Sequence, residues 1–355
     1  MLIGRKHIVG LLLAGVLGAF LLAWSGLIGV GASTGHWKAT DWFLHWVMRS
    51  SVRTAALGTK VPVFTEGMLP MAAGHFEAGC AICHGSPAMA RPKSVGRMLP
   101  APPDLKDKIA TWTDAELFQI VQHGIRFTGM PAWPVADRED EAWAMVAFLR
   151  RYPDLDANQY RALAGYAATQ STAADTALVS CNGCHMPERL GAQSLIPDLA
   201  GQSALFLKQA LAAYADGTRP SGTMAVAIQG LSEGERQTLA RHFANLPPAI
   251  LPSTVQPPLS RRGETLAVKG DPERRIPACL SCHDKANANP AYPRLSGQAE
   301  AYLANQLRLF VGKTRGGGPF RALMTQAAVN LQDEDIAALA AYFAARNASQ
   351  DSTKR

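Results

Sequence analysis

One pentapeptide occurs three times: Cys80-Ala81-Ile82-Cys83-His84, Cys181-Asn182-Gly183-Cys184-His185 and Cys279-Leu280-Ser281-Cys282-His283. The C-x-x-C-H spacing suits covalent attachment of a c-type haem. Two thiols add across the two vinyl groups of one porphyrin, and the adjacent imidazole binds iron from beneath the ring. The motifs use all six cysteines of the chain, so none remains for a disulfide. A redox dithiol or half of a zinc ribbon shares the Cys pair, but neither explains a His after every pair. The expectation is three covalently bound haem c groups, on Cys80 and Cys83, on Cys181 and Cys184, and on Cys279 and Cys282. His84, His185 and His283 are the expected proximal iron ligands.

What occupies the other face of the iron separates an electron carrier from a haem enzyme. A Met thioether fills that face and raises the potential, whereas an open position admits peroxide or oxygen. Each motif has a Met well downstream: Met130 in Thr128-Gly129-Met130-Pro131, Met224 in Gly222-Thr223-Met224, and Met324 in Leu323-Met324-Thr325. Each precedes a Phe of a helical segment, Phe148, Phe243 and Phe343, in nearly the same register. A Met that only fills a core gap has no reason to keep that register. Met130, Met224 and Met324 are therefore the expected distal ligands. Met68, Met71, Met89 and Met98 are rivals of Met130 in the first repeat, and Met186 follows a proximal His too closely to reach the opposite face. His75 and His123 offer a bis-His alternative there.

The motifs recur with a period of roughly 100 residues, which reads as one small domain per motif. Ile196-Pro197-Asp198-Leu199-Ala200-Gly201-Gln202 aligns with Tyr292-Pro293-Arg294-Leu295-Ser296-Gly297-Gln298, and the first repeat keeps Pro103-Asp104-Leu105. Ser232-Glu233-Gly234-Glu235 reads as a capping box. Thr113-Asp114-Ala115-Glu116 opens a helix that runs to about His123, with Gly124 to end it. Asp333, Glu334 and Asp335 put negative charge at a helix start. No segment alternates with period two, so the expectation is an all-α chain.

The expected organisation is residues 1–33 as an N-terminal transmembrane anchor or uncleaved signal, 34–66 as an amphipathic interfacial connector, then three haem domains at 67–155, 156–250 and 261–348. A proline-rich linker, 251–260, separates the last two, and 349–355 is a polar tail. Arg5, Lys6 and His7 precede an uncharged run from Ile8 to Val30, long enough for a bilayer. With the basic residues before it, the N-terminus stays inside and the remainder faces out. A cleaved signal ending near Val30-Gly31-Ala32 is the rival reading, against which the length of the apolar run argues. In the connector, Trp42, Phe43, Trp46 and Val47 recur at helical spacing, which suits a helix on the membrane surface or one against a partner subunit.

The net charge of +7 is dispersed along the chain. Haem propionates would offset most of it, and nucleic-acid binding, which needs a concentrated basic stripe, is not expected.

Residues 67–348 resemble class I c-type cytochromes repeated three times, and domains two and three are similar to the cytochrome c4/c5 type through C-x-x-C-H, Pro-x-Leu-x-Gly-Gln and the late Met. The resemblance implies tandem cytochrome c domains and maturation outside the cytoplasm. It also implies that a Pro carbonyl accepts a hydrogen bond from the proximal His ring, a role that falls to Pro103, Pro197 and Pro293. As a three-haem chain it is similar to cytochrome subunits of membrane-bound bacterial dehydrogenases. Those take electrons from a flavin, pyrroloquinoline quinone or molybdenum subunit and deliver them to ubiquinone or an oxidase. Many hold the membrane by a C-terminal helix, whereas here the anchor candidate is N-terminal.

The expected function is electron relay at the bacterial inner membrane, with haem domains in the periplasm, between a dehydrogenase or quinol-linked donor and an acceptor such as a terminal oxidase or ubiquinone. A peroxidase-like enzyme with one open haem, or the cytochrome subunit of a terminal oxidase, is the alternative. Domains this small cannot close a generous apolar core alone, so each depends on haem as a buried apolar plate. A haem-free preparation is expected to lose its helical circular dichroism; full retention would contradict that dependence.

Overall fold

The computed structural model of the chain describes residues 4–29, 31, 35, 37–165, 176–186, 189–249, 257–283 and 289–346. Among these residues the chain is helical and has no strand; isolated bridges join Ser86 to Met89 and Asp271 to Ile276. The expected polar tail and most of the expected proline-rich linker lie outside the described residues.

Helix α1, Arg5–Trp24, has 20 residues, a mean hydropathy of 2.1 and no buried side chain. At 1.5 Å per residue it reaches about 30 Å, the thickness of a bilayer's hydrocarbon. The uncharged run continues to Val30, but the helix stops sooner because Gly26 turns left-handed at φ 73°. Helix α2, Lys38–Ala55, divides into two halves. Trp42, Phe43 and Trp46 of its first half are exposed. Its second half is docked: Val52 is buried, the Arg49 guanidinium lies 4.4 Å over the Trp112 ring, and Arg53 pairs with Glu116 at 3.6 Å.

In the first domain, α3 (Leu69–His75) runs through a π-helical turn, Phe76–Cys80, into α4 (Ala81–His84). A short α5 (Leu105–Lys108) follows, then α6 (Asp114–His123), α7 (Glu139–Arg151) and α8 (Ala157–Ala164). The capping box that opens α6 is present: the Glu116 amide donates to Thr113 Oγ1, and Glu116 accepts from the Thr113 amide at 2.7 Å. The core is aromatic. Phe118 stacks on Trp143 at 4.2 Å, and Phe76, Phe148, Tyr152 and Tyr160 form a second ring cluster. Tyr160 has no exposed surface, and its hydroxyl donates to Glu77 at 2.6 Å. So α8, which the repeat spacing assigns to the second domain, packs its side chains into the first.

The second domain contains α9 (Thr176–His185), α10 (Ala204–Ala215), α11 (Gly222–Ala227) and α12 (Glu233–Ala244). Among the described residues its buried cluster holds Leu207, Leu239, Ala240 and Phe243, with Cys181 packed against it. A core this slight suits a domain that closes around an apolar group. The third domain contains α13 (Pro257–Lys269), α14 (Leu280–His283), α15 (Glu300–Val311), α16 (Arg321–Ala328) and α17 (Asp333–Ala345). Helix α13 begins inside the expected linker, and prolines are tolerated in a first helical turn. Helices α13 and α17 pack closely, and a Cβ at Gly263 would overlap the Ala338 carbonyl.

Asp335, in the first turn of α17, has no exposed side-chain surface. Arg274 reaches it at 2.6 Å and Arg262 at 2.9 Å, and it accepts from the Gln332 amide at 3.1 Å. The Arg274 hydrogen bond leads in holding its carboxyl down at about 2. A carboxyl depressed in the fold stabilises it above the ordinary aspartate value and stops doing so as pH falls from near 4 toward 2. Asp335→Asn is expected to destabilise the third domain by about 2–3 kcal/mol at pH 7, because Arg262 and Arg274 keep contact with water. The gap between variant and parent should narrow below pH 4, as followed by urea unfolding of the holoprotein.

Candidate haem centres

Each C-x-x-C-H motif sits where a helix ends, so the His is the last residue of its helix: His84 of α4, His185 of α9 and His283 of α14. None of the six cysteines is in a disulfide. The first Cys of each motif packs against the apolar cluster of its own domain. Burial pushes the Cys80 thiol up to about 12 and the Cys279 thiol up to about 11.

The imidazoles share one contact. His84 Nδ1 lies 3.1 Å from the Pro103 carbonyl oxygen, His185 Nδ1 lies 3.0 Å from that of Pro197, and His283 Nδ1 lies 3.2 Å from that of Pro293. A carbonyl only accepts, so Nδ1 carries the proton and Nε2 keeps its lone pair. Burial lowers the pKa of all three rings, which favours the neutral form. Phe243 of α12 meets the His185 ring edge-on at 6.4 Å, and Tyr292 lies 6.0 Å from the His283 ring.

Two unbridged thiols and a neutral imidazole with a free Nε2 fit a covalently held haem in each domain. Among the described residues no cluster of three His, Cys, Asp or Glu side chains is arranged to hold a lone metal ion. A zinc ribbon needs four such donors.

The three late Mets are half-buried and differently framed. The Met130 amide donates to Thr128 Oγ1 in the loop between α6 and α7. Met224 lies on α11, its amide donating to Ser221 Oγ at 3.1 Å. Met324 lies on α16 and packs against the third core. Among the rivals, Met68 and Met71 pack on the first core and Met89 is exposed. Met98 reaches the Met130 loop, its methyl filling the space beside Gly129. His123 is exposed at the end of α6. His75 is buried with its ring 4.4 Å from that of Trp133, and burial lowers its pKa to about 4.

Polar residues that sequence reasoning passed over join the domains. Gln202 donates from Nε2 to the Arg294 carbonyl and accepts from the Arg294 amide, both at 2.9 Å. Gln298 does the same to Asp198, at 2.6 Å and 3.0 Å. The Asp198 and Arg294 side chains, at equivalent places in the two repeats, pair at 3.0 Å. The second and third domains thus meet face to face through the same segment of each, the self-complementary arrangement of a two-fold. The signal lay in the sequence: Gln recurs after Pro-x-Leu-x-Gly in both repeats and is missing from Pro103-Asp104-Leu105-Lys106-Asp107-Lys108. The first domain docks differently, through the start of α7. Asp140 accepts from Asn305 of α15 at 3.0 Å, and Arg138 donates to the Pro220 carbonyl at 2.7 Å.

Two family models match the chain. Residues 70–149 match "Cytochrome C oxidase, cbb3-type, subunit III", and residues 260–345 match "Cytochrome c". Cytochrome c4 of Azotobacter vinelandii is 32% identical over 189 residues, which cover 50% of this chain and 89% of the relative. The thiosulfate dehydrogenase electron acceptor of Thiomonas intermedia (strain K12) is 32% identical over 178 residues, covering 49% of this chain and 82% of that protein. Cytochrome c-554(548) of Halomonas halodenitrificans is 41% identical over 76 residues, covering 21% of this chain and 90% of the relative.

Replacing both Gln202 and Gln298 by Ala leaves two backbone amides and two carbonyls without partners at the junction, at a cost of about 1–3 kcal/mol for each side chain. The double variant is expected to separate the thermal unfolding of the second and third domains into two transitions by calorimetry. One merged transition at the parental temperature would refute this role.

Proposed function

From the premise that this chain belongs to the class I c-type cytochromes, as a multidomain member, we propose that it is a membrane-tethered triheme electron relay. Its donor is a dehydrogenase or quinol-linked protein, and its acceptor is a terminal oxidase or ubiquinone. When bound, each haem supplies an iron centre that gains and loses one electron. The residues of this chain hold and orient that centre. Cys80 and Cys83, Cys181 and Cys184, and Cys279 and Cys282 tether the haems covalently. His84, His185 and His283 present Nε2 to iron, each held in that tautomer by the carbonyl of Pro103, Pro197 or Pro293. Met130, Met224 and Met324 would supply the remaining iron ligand of each haem, which would leave no position for a substrate.

The observation that carries this reading is the threefold recurrence of one imidazole–carbonyl contact, each with a late Met in register with a closing helix. Three saturated centres in one chain serve transfer along a series. The similarity to a thiosulfate dehydrogenase electron acceptor supports a dehydrogenase as donor. The match of residues 70–149 to an oxidase subunit family supports a second reading, a cytochrome subunit that docks on a terminal oxidase through its first domain. Helix α1 supports an anchor in the inner membrane with the haem domains in the periplasm.

Single replacement of Met130, Met224 or Met324 by Ala is expected to remove about one third of the Met-to-iron charge-transfer absorption. Each variant should also gain carbon monoxide binding at one haem, while the reduced parent binds none rapidly. Rapid stoichiometric binding by the parent would favour an enzyme with an open haem.

A further inference from the structure

Glu141 stands in the first turn of α7, behind Glu139 and Asp140. In the structure Glu141 keeps only 2% of its surface exposed. It reaches out of its own domain. One oxygen accepts from Ser221 Oγ at 2.6 Å, and the other accepts from the Gly222 amide at 2.7 Å and the Thr223 amide at 3.2 Å. These are the amides that open α11, the helix carrying Met224, and the Met224 amide in turn donates to Ser221 Oγ. A carboxylate suits this place because the first amides of a helix lack partners and carry its positive end.

The carboxylate is itself held. Arg138 Nη2 lies 2.9 Å from it, and Trp133 donates from Nε1 at 3.3 Å. Trp133 also packs so tightly on Gly222 that no Cβ fits there. Arg138 is fixed by Asp140 at 2.7 Å and donates to the Pro220 carbonyl. Residues 220–223, immediately before Met224, are therefore gripped by side chains of the first domain.

We infer that Glu141 of the first domain is a positioning residue for Met224, fixing the helix that presents this thioether in the second. Glu141 does not itself touch iron. It sets where α11 begins and how tightly the Met loop is held, so the first domain determines a property of the second haem. This inference rests on Met224 being the distal ligand.

The experiment uses the full-length holoprotein and the variants Glu141→Ala, Glu141→Gln, Ser221→Ala and Met224→Ala. Met224→Ala identifies the component of a potentiometric titration, and the Met methyl resonance in the NMR spectrum, that belong to the second haem. Glu141→Ala is expected to shift that same component to lower potential, displace that same methyl resonance, and raise carbon monoxide association at that haem at least tenfold. The other two components should stay in place. Glu141→Gln retains an accepting oxygen and should recover part of the shift. Ser221→Ala removes the bond to Glu141 and the cap on the Met224 amide without stranding Arg138, so an unmoved second component in it still tests the grip if Glu141→Ala fails to fold. An unmoved second component in folded Glu141→Ala, or in folded Ser221→Ala should Glu141→Ala not fold, would overturn the inference. So would an equal shift of all three. If Met224→Ala itself leaves the absorption and the titration unchanged, the assignment of Met224 as ligand fails instead.

Discussion

A carbonyl oxygen can only accept a hydrogen bond, and three proline carbonyls therefore decide which nitrogen of three histidines is free. The loops that bring each Pro back to its His differ in length. His84 meets Pro103 across a separation of 19 residues, His185 meets Pro197 across 12, and His283 meets Pro293 across 10. The first loop contains the Arg91 side chain, which donates to the Pro102 carbonyl. Different chain lengths converge on one distance, and each imidazole is thereby oriented and proton-bearing at Nδ1, the form that the proposed ligand role requires. Each motif helix ends at its His, and in the second domain Phe243 of α12 meets the His185 ring edge-on.

The closing helices show how one position is put to three uses. Glu141, Glu235 and Asp335 each stand third in their helix, where an acid can cap the free amides of the first turn. Glu235 does only that, bonding back to Ser232 on the surface. Asp335 is turned inward and joins α17 to Arg262 and Arg274 of its own domain. Glu141 is turned into a neighbouring domain. A buried carboxylate costs free energy unless paired and hydrogen-bonded. In both inward cases an arginine and at least one backbone amide meet that requirement.

Much of this was legible in the sequence where the chemistry is local. The C-x-x-C-H motifs, the capping boxes of Thr113 and Ser232, and the glycine that ends α6 at Gly124 involve residues within a few positions of one another. The Pro-x-Leu triplets were legible because they repeat. The end of the first domain was not, since Tyr160 is drawn into the aromatic cluster of Phe76 and Phe148 by contacts that no period reveals. Nor were the roles of Glu141, Gln202 and Gln298. Their partners lie 80 to 100 residues away. A polar side chain in a helical or loop pattern reads as solvent-facing until tertiary structure supplies its partner.

The two kinds of junction differ in a way that bears on a relay. Between the second and third domains the contacts are reciprocal, Gln202 to Arg294 and Gln298 to Asp198, so neither side is mechanically distinguished. Between the first and second they are not reciprocal: Arg138 and Glu141 reach the segment before Met224, and Arg189 reaches back to the carbonyls of Ala162 and Leu163. Asp140 adds a contact to the third domain through Asn305. The start of α7 thus touches both other domains, and the domain that contains it is also the one that α2 ties back toward α1 through Arg49 and Arg53. A relay needs its centres at fixed separation, and fixed separation needs more than flexible linkers between domains. Here the boundary contacts are made by buried polar side chains, Glu141, Gln202 and Gln298, that satisfy backbone amides of the neighbouring domain, and each partner left behind would be unpaired.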